Sequence, residues 1–420
     1  MKKFLTGNPN NILRDSYIWN TIGGLLNAGQ SALLLIVISR TNPVEDAGIF
    51  SIAYAIASLT ITMGKYGMRN FQATDVKKKY DYGVYVSSRI ITVALMLLLT
   101  GYYIVKGIFG LGYSVDKCIV ILMMGMLKMV DAIEDVVHGM FQQKGRLDIG
   151  AKSMATRYIL MLVIYGISLC VTHNLVISTT VSFFVSIAYF VMTTMLVYRE
   201  LKEPLHISFA DKRVYSLLAE CFSLFTGGFL MIYIANAPKY AIDEYMNESV
   251  QACFNYIFMP VYVISVLNTF IYQPVLTKLA ICFNERDYKG FWRLFIRQLG
   301  IIFGLIAIVL LGGGFLGISV LSVLYNTDLS AYKIPFMILL LGGGFLAASG
   351  YLSVVVTIMR KQNWLMIGYV SAAIIALATA RPLVLSMGAM GAALLYANIV
   401  FGQMIIFGVI FAVFYRGEKQ

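Results

Sequence analysis

The chain has 420 residues, of which 59% are hydrophobic and 13% charged, a balance that no water-soluble domain with a polar surface reaches. A formal net charge of +12 would suggest nucleic acid in a soluble protein, but the Lys and Arg fall in alternate loops between long apolar stretches. That placement excludes a nucleic-acid surface and predicts a polytopic α-helical membrane protein with no nucleic-acid partner.

The first apolar stretch lies near residues 16–39. It follows Lys2, Lys3 and a polar run of Asn8, Asn10, Asn11, Arg14 and Asp15, unlike a cleaved signal peptide, so the span is expected to stay. Further stretches lie near 48–68, 86–105, 117–140, 153–172 and 174–198, then near 214–236, 250–276, 294–316, 333–358, 364–380 and 388–415. Each has about 20 residues or more, as a bilayer core of roughly 30 Å requires. The predicted fold is therefore an all-α polytopic membrane protein of about twelve transmembrane helices, arranged as two six-helix bundles over 1–200 and 214–420. A cytoplasmic linker over 201–213, containing Pro204, joins them. An even number of spans per half permits parallel repeats. A faint echo agrees: Glu45, Asp46, Gly48, Phe50 and Ser51 open the second span, and Glu248, Ala252, Phe254 and Asn255 open the eighth.

The positive-inside rule places both termini in the cytoplasm of a bacterial inner membrane. Inner segments then carry Lys2, Lys3, Arg14, Lys65, Arg69, Lys77, Lys78, Lys79, Arg89, Lys144, Arg146, Lys152 and Arg157. In the second half the inner cations are Arg199, Lys202, Lys212, Arg213, Lys278, Arg286, Lys289, Arg293, Arg297, Arg360, Lys361, Arg416 and Lys419. Outer connections hold Arg40, Lys106, Lys117, Lys239, Lys333 and Arg381, and gather acids such as Glu45, Asp116, Asp243 and Asp328. These outer connections are short, which leaves an enzyme little room. No nucleotide-binding loop, zinc pattern or Ser/His/Asp constellation occurs, His138, His173 and His206 are scattered, and the five cysteines have no paired spacing. No catalytic residues, metal site or cofactor are expected. Two LGGGFL runs, Leu311–Leu316 and Leu341–Leu346, read as small-residue faces for close helix packing.

The fourth span is the most informative. Among Met, Leu, Ile and Val it places Lys128, Asp131, Glu134, Asp135 and His138. At about 100° per residue, Lys128, Asp131, Asp135 and His138 fall within roughly 80°, with Gln142 extending the stripe and Glu134 at its edge. Each charge facing lipid near the centre would cost about 2.5–3.5 kcal/mol, so the stripe must face protein or water. Counted from Lys117, Lys128 sits roughly 16 Å in, near the midplane. Two readings stay open. The stripe lines a translocation cavity, or it forms an internal ladder of Lys128 with Asp131 and Asp135 with His138.

Softer signals are Asn20, Asn27, Gln30, Asn236, Lys239, Asn255, Asn268 and Gln273, which read mainly as interhelical hydrogen-bonding groups. Pro238, Pro260 and Pro274 interrupt the seventh and eighth spans or their ends. Lys65, Arg69, Arg89 and Arg157 lie near the inner boundary, where they snorkel or line a vestibule able to hold phosphate.

Three stretches carry a family resemblance. They are Ser39 to Asn70 (SRTNPVEDAGIFSIAYAIASLTITMGKYGMRN), with an acidic turn, a Gly-x-Phe-Ser opening and a closing Gly-x-Arg; Gly139 to Asp148 (GMFQQKGRLD); and Ala237 to Tyr256. In order and spacing they resemble the polysaccharide transporters of the multidrug/oligosaccharidyl-lipid/polysaccharide (MOP) flippase superfamily. That resemblance implies two bundles in a V-shaped rocker-switch transporter, moving a lipid-linked oligosaccharide, usually on undecaprenyl pyrophosphate, to the outer leaflet. It implies membrane lipids and glycan assembly proteins as partners. Arg69 and Lys128 become headgroup contacts, with Lys65, Arg89 and His138 in the substrate cavity, and Asp131, Glu134 and Asp135 become candidates for coupling H+ or Na+. Three acids against one Lys on the stripe depart from a cationic pocket. The alternatives are a cation-coupled multidrug exporter of the same superfamily, a polysaccharide polymerase or ligase, and a non-transporting scaffold.

Overall fold

A computed structural model describes residues 1–75, 79–201 and 205–419. Lys77, Lys78, Lys202 and Pro204 lie outside the described residues, as do the side chains of Arg199 and Lys419. Helix is the regular structure throughout the described residues, and twelve long helices follow one another. They are α1 Ile12–Thr41, α2 Val44–Lys65, α3 Tyr82–Lys106, α4 Val115–Gln143, α5 Leu147–Thr172, α6 Leu175–Leu201, α7 Lys212–Tyr245 and α8 Glu248–Asn284. Then come α9 Tyr288–Gly312, continued by a widened turn at Gly313–Gly317 and by Ile318–Tyr325, and α10 Lys333–Ile358. The helix Leu365–Lys419 leaves helical geometry at Gly388 (φ 58°), which divides it into α11 (365–387) and α12 (389–419).

Nine of the described helices are long and apolar enough to cross a membrane by length and composition alone. The charged α4 and the long α8 are not among them, and Leu365–Lys419 counts once. Most helices outrun the apolar stretches, because the stretches mark the hydrocarbon zone whereas the helices continue into the interface. Polar residues set several starts: Ser114 accepts the N–H of Lys117, Asn247 that of Val250 and Asp287 that of Gly290. The predicted break at 381–387 is displaced. The helix runs on through Arg381 and Pro382 and turns at Gly388, where a positive φ suits the residue without a Cβ. Pro238, Pro260 and Pro274 likewise sit inside continuous helices.

The chain divides into two compact units, Met1–Ile232 and Tyr233–Gln420. The division falls inside α7 because the linker and the first turns of α7 are fastened to the first unit. Ser208 N–H donates to Ser87 Oγ (3.1 Å), Arg213 pairs with Asp81 (2.8 Å), Lys79 with Glu220 (2.5 Å), and Phe225 stacks on Tyr66 at 4.5 Å.

In the first unit α4 packs against α2, α3, α5 and α6, and is buried along most of its C-terminal half. Its apolar side meets Val93 and Met96 through Ala132. In the second unit α10 takes the corresponding place, against α8, α9 and the helix that follows it. The second LGGGFL run is the packing surface its composition predicts, with Tyr396 against Gly342, Val261 and Ile264 against Gly343, and Ile306 against Gly344.

Candidate functional site

The polar stripe of α4 is enclosed by protein, as its cost in lipid demands. Lys128, Asp131, Glu134, Asp135 and His138 are all between 2% and 7% exposed. Lys128 Nζ donates to Asp131 Oδ2 at 3.1 Å and lies 5.1 Å from the Tyr54 ring of α2. From α5, Arg157 spans two acids, with Nη2 2.5 Å from Asp131 Oδ1 and 2.7 Å from Glu134 Oε2. Its Nη1 donates to Ser186 Oγ of α6 at 2.7 Å, and Tyr158 lies against the guanidinium.

Asp135 is held from other elements. Arg89 of α3 donates to Asp135 Oδ2 at 2.8 Å and to the Gly64 carbonyl at 2.5 Å, an oxygen that also accepts from Thr92. Arg69, on the short helix Met68–Thr74, approaches Asp135 Oδ1 at 3.7 Å and reaches Gln142 Oε1 at 3.4 Å. Lys65, in the last turn of α2, is half-buried and within 4 Å of no carboxylate among the described residues. His138 Nε2 faces Glu134 Oε1 across 3.6 Å, and neither atom has a hydrogen-bond partner. A small buried cavity beside Lys128 is lined by Gln30, Tyr54, Asp131, Arg157 and Met161 among others.

The cluster thus brings five cations, Lys65, Arg69, Arg89, Lys128 and Arg157, to three carboxylates, Asp131, Glu134 and Asp135, an excess of two formal positive charges. The second unit treats its buried cation differently. Lys239 of α7 is 4% exposed, its Nζ 3.4 Å from the Tyr262 hydroxyl and 5.2 Å from the Phe258 ring centroid, with no carboxylate within 4 Å among the described residues. Among the described residues no group of three or more His, Cys, Asp or Glu side chains is arranged to hold a metal ion.

The family profile described as "Polysaccharide biosynthesis protein" matches residues 13–280, the part of the chain that contains the whole cluster. The chain belongs to this polysaccharide biosynthesis family. No curated protein matches it. Among solved structures, the lipid II flippase MurJ in an inward closed conformation is similar with a TM-score of 0.65 at 15% identity, covering 96% of this chain and 87% of that one. The eukaryotic MATE transporter AtDTX14 is similar at 0.61 and 15% identity, covering 96% of each chain. A MOP superfamily transporter from Pyrococcus furiosus is similar at 0.53 and 14% identity, covering 100% of this chain and 98% of that one. At these identities the likeness shows the fold, which is that of MOP-superfamily transporters and flippases.

Within this family member, sequence reasoning paired Lys128 with Asp131 correctly, but Asp135 does not meet His138. Asp135 takes two arginines, whose planar donors satisfy a buried carboxylate better than one imidazole, and His138 turns to Glu134. Arg89 and Arg157 do not snorkel: they are 2% and 1% exposed and serve the buried acids. Arg157, read from the sequence only as an inner-boundary charge, is the cation that joins two acids of the stripe. Its signal was the charge deficit of the stripe, since three intramembrane acids with one Lys require cations from other spans.

Proposed function

We propose that the protein flips a lipid-linked oligosaccharide, carried on a polyprenyl pyrophosphate such as undecaprenyl pyrophosphate, from the cytoplasmic to the outer leaflet of the bacterial inner membrane by alternating access. Family membership supports the link to polysaccharide biosynthesis, for which O-antigen or capsule repeats are the cargo class, delivered by and passed on to glycan assembly proteins. The observation that carries the reading is the two-charge cationic excess of the intramembrane cluster. A pyrophosphate needs several cations at once, and a cationic drug would be repelled by them.

The residues divide by exposure. Lys65 and Arg69, half-buried at the basic end of the cluster, take the headgroup first; Lys128, with Tyr54 beside it, takes it nearer the midplane. Arg89 and Arg157 position the acids. Glu134 is the best placed of these for coupling to H+ or Na+, because one oxygen rests on Arg157 while the other faces His138 without a hydrogen bond. The positive-inside pattern supports cytoplasmic termini, with the Lys65–Arg69 end inward.

The test is leaflet-resolved flipping of undecaprenyl-linked oligosaccharide in proteoliposomes under an imposed ion gradient. Wild type is expected to flip, and Arg69→Ala and Lys128→Ala to lose most of the rate while remaining folded. Wild type that extrudes cationic drugs and flips no such lipid would establish the exporter instead.

A further inference from the structure

The second unit carries a feature that the transport cluster does not use. Between α9 and α12, with Ala348 and Leu352 of α10 as floor, runs an apolar groove of about 680 Å³. Small residues open it: Gly408 and Ala412 of α12 line it, and a Cβ added at Gly408 meets nothing within 4 Å. Aromatic rings stiffen its basic end. Trp292 stacks on Tyr415 at 5.5 Å, Phe295 on Phe411 at 4.4 Å, and the Tyr415 hydroxyl donates to the Tyr288 carbonyl at 2.8 Å. Trp292 remains 44% exposed, the amphipathic placement that aromatic rings take at a membrane interface.

A basic depression adjoins the groove and shares Trp292 and Ile296 with it. Lys289, Arg293 and Arg297, one turn apart on a single face of α9, line this depression, and Arg416 lines the groove end. All four are exposed, and none forms an ion pair within 4 Å among the described residues. Lys289, in the first turn, opposes the helix dipole, and α9 has no acid in that turn to offset it. Asp287, just ahead, is occupied in capping Gly290 N–H at 2.9 Å. The arrangement lacks an anion.

We propose that the groove holds an anionic phospholipid of the bilayer, its phosphate on Arg293, Arg297 and Arg416 and one acyl chain between α9 and α12. Dimensions select a phospholipid over the polyprenyl carrier. From Trp292 to Phe303 the groove runs roughly 16 Å along α9, about the depth of one leaflet of a hydrocarbon core about 30 Å thick. An acyl chain fills that length, whereas a long polyprenyl chain overruns it. The site stands apart from the transported substrate and would persist if the flippase reading failed.

Native mass spectrometry of the full-length protein in mild detergent, titrated with phosphatidylglycerol or phosphatidylcholine, tests this. Wild type is expected to retain one phosphatidylglycerol in preference to phosphatidylcholine. Arg293→Gln with Arg297→Gln should weaken phosphatidylglycerol roughly tenfold or more and erase the preference. Gly408→Trp, which fills the groove and leaves every cation in place, should lower retention of both lipids. A thermal melt matching wild type confirms that each variant is folded, and the arginine pair decides alone if Gly408→Trp is not. Equal retention of the two lipids by wild type, or no change in the arginine variant, would overturn the proposal. Stoichiometric displacement of phosphatidylglycerol by undecaprenyl phosphate would also overturn it, reassigning the groove to the carrier.

Discussion

The two units bury cations in opposite ways. In the first, Arg157 and Arg89 are locked to Asp131, Glu134 and Asp135 by contacts of 2.5–2.8 Å, so both buried guanidiniums are answered by carboxylates of their own unit. In the second, Lys239 rests on the Phe258 and Tyr262 rings and one long hydroxyl contact, with no carboxylate within 4 Å among the described residues. Removing a paired charge strands its partner, whereas removing an unpaired one strands nothing. A built ion network and a single caged ammonium are thus distinguishable by mutation even though both lie out of water.

Arg157→Leu is expected to give the largest effect, a loss of about 3–5 kcal/mol, because Asp131 and Glu134 would both stay buried without their shared guanidinium. Unfolding in detergent, followed by a helix signal, measures it. Arg157→Lys should recover part of the loss, since an ammonium cannot span two carboxylates as a planar fork does. Stability unchanged in Arg157→Leu would break the comparison at its stronger side.

Lys239→Met reverses the sign. Burial of an ammonium without a counter-charge opposes folding, and Met fits the aromatic cage, so stability should stay level or rise by about 1 kcal/mol. The same melt reads it. If flipping nevertheless falls in this variant, Lys239 is a second anion contact, and the contrast between the units sharpens into one between held and available charge.

Arg69→Ala lies between them. Its side chain is 25% exposed and its contacts are long, 3.7 Å to Asp135 and 3.4 Å to Gln142, so stability should change by no more than about 1 kcal/mol. The flipping rate should fall far more than the melting temperature. Equal losses in both would make Arg69 a structural residue like Arg157.

The spans were legible because the bilayer imposes their length and composition, and the stripe because 3.6-residue periodicity brings Lys128, Asp131, Asp135 and His138 to one face. What one helix cannot reveal is which neighbour answers its charges. The Lys128–Asp131 pair was readable since it lies within α4. The partners of Asp135 and Glu134 come from α3, α5 and the Met68–Thr74 helix, and those depend on tertiary packing. Gly388 was missed for a related reason: Arg381 and Pro382 look like a loop, but the turn falls where a glycine accepts positive φ, six residues beyond Pro382. The first turns of α7 join the first unit through side chains such as Glu220 and Phe225, whose partners on the α2–α3 connection no local pattern indicates.

That connection supplies the smallest effect. Asp75, between the Met68–Thr74 helix and α3, accepts the N–H groups of Lys79 (2.8 Å) and Tyr80 (3.1 Å) and the Tyr85 hydroxyl (3.0 Å). Partial burial pushes its pKa up, but these donors outweigh that and hold the carboxyl below its ordinary value of 3.8. A folded-state pKa below the unfolded one gives stability that is present in full above the unfolded value and is lost as pH falls through the folded one. Stability contributed by Asp75 should therefore be constant from neutral pH down to about pH 4 and decline below it. Because Asp75 is only partly buried, the whole contribution should be about 1 kcal/mol or less. Asp75→Asn should lose that amount at neutral pH and flatten the acid limb of the melting curve against pH. A variant that retains the full acid limb would move its origin to other carboxylates of the first unit, such as Asp81 and Glu220 in their ion pairs with Arg213 and Lys79.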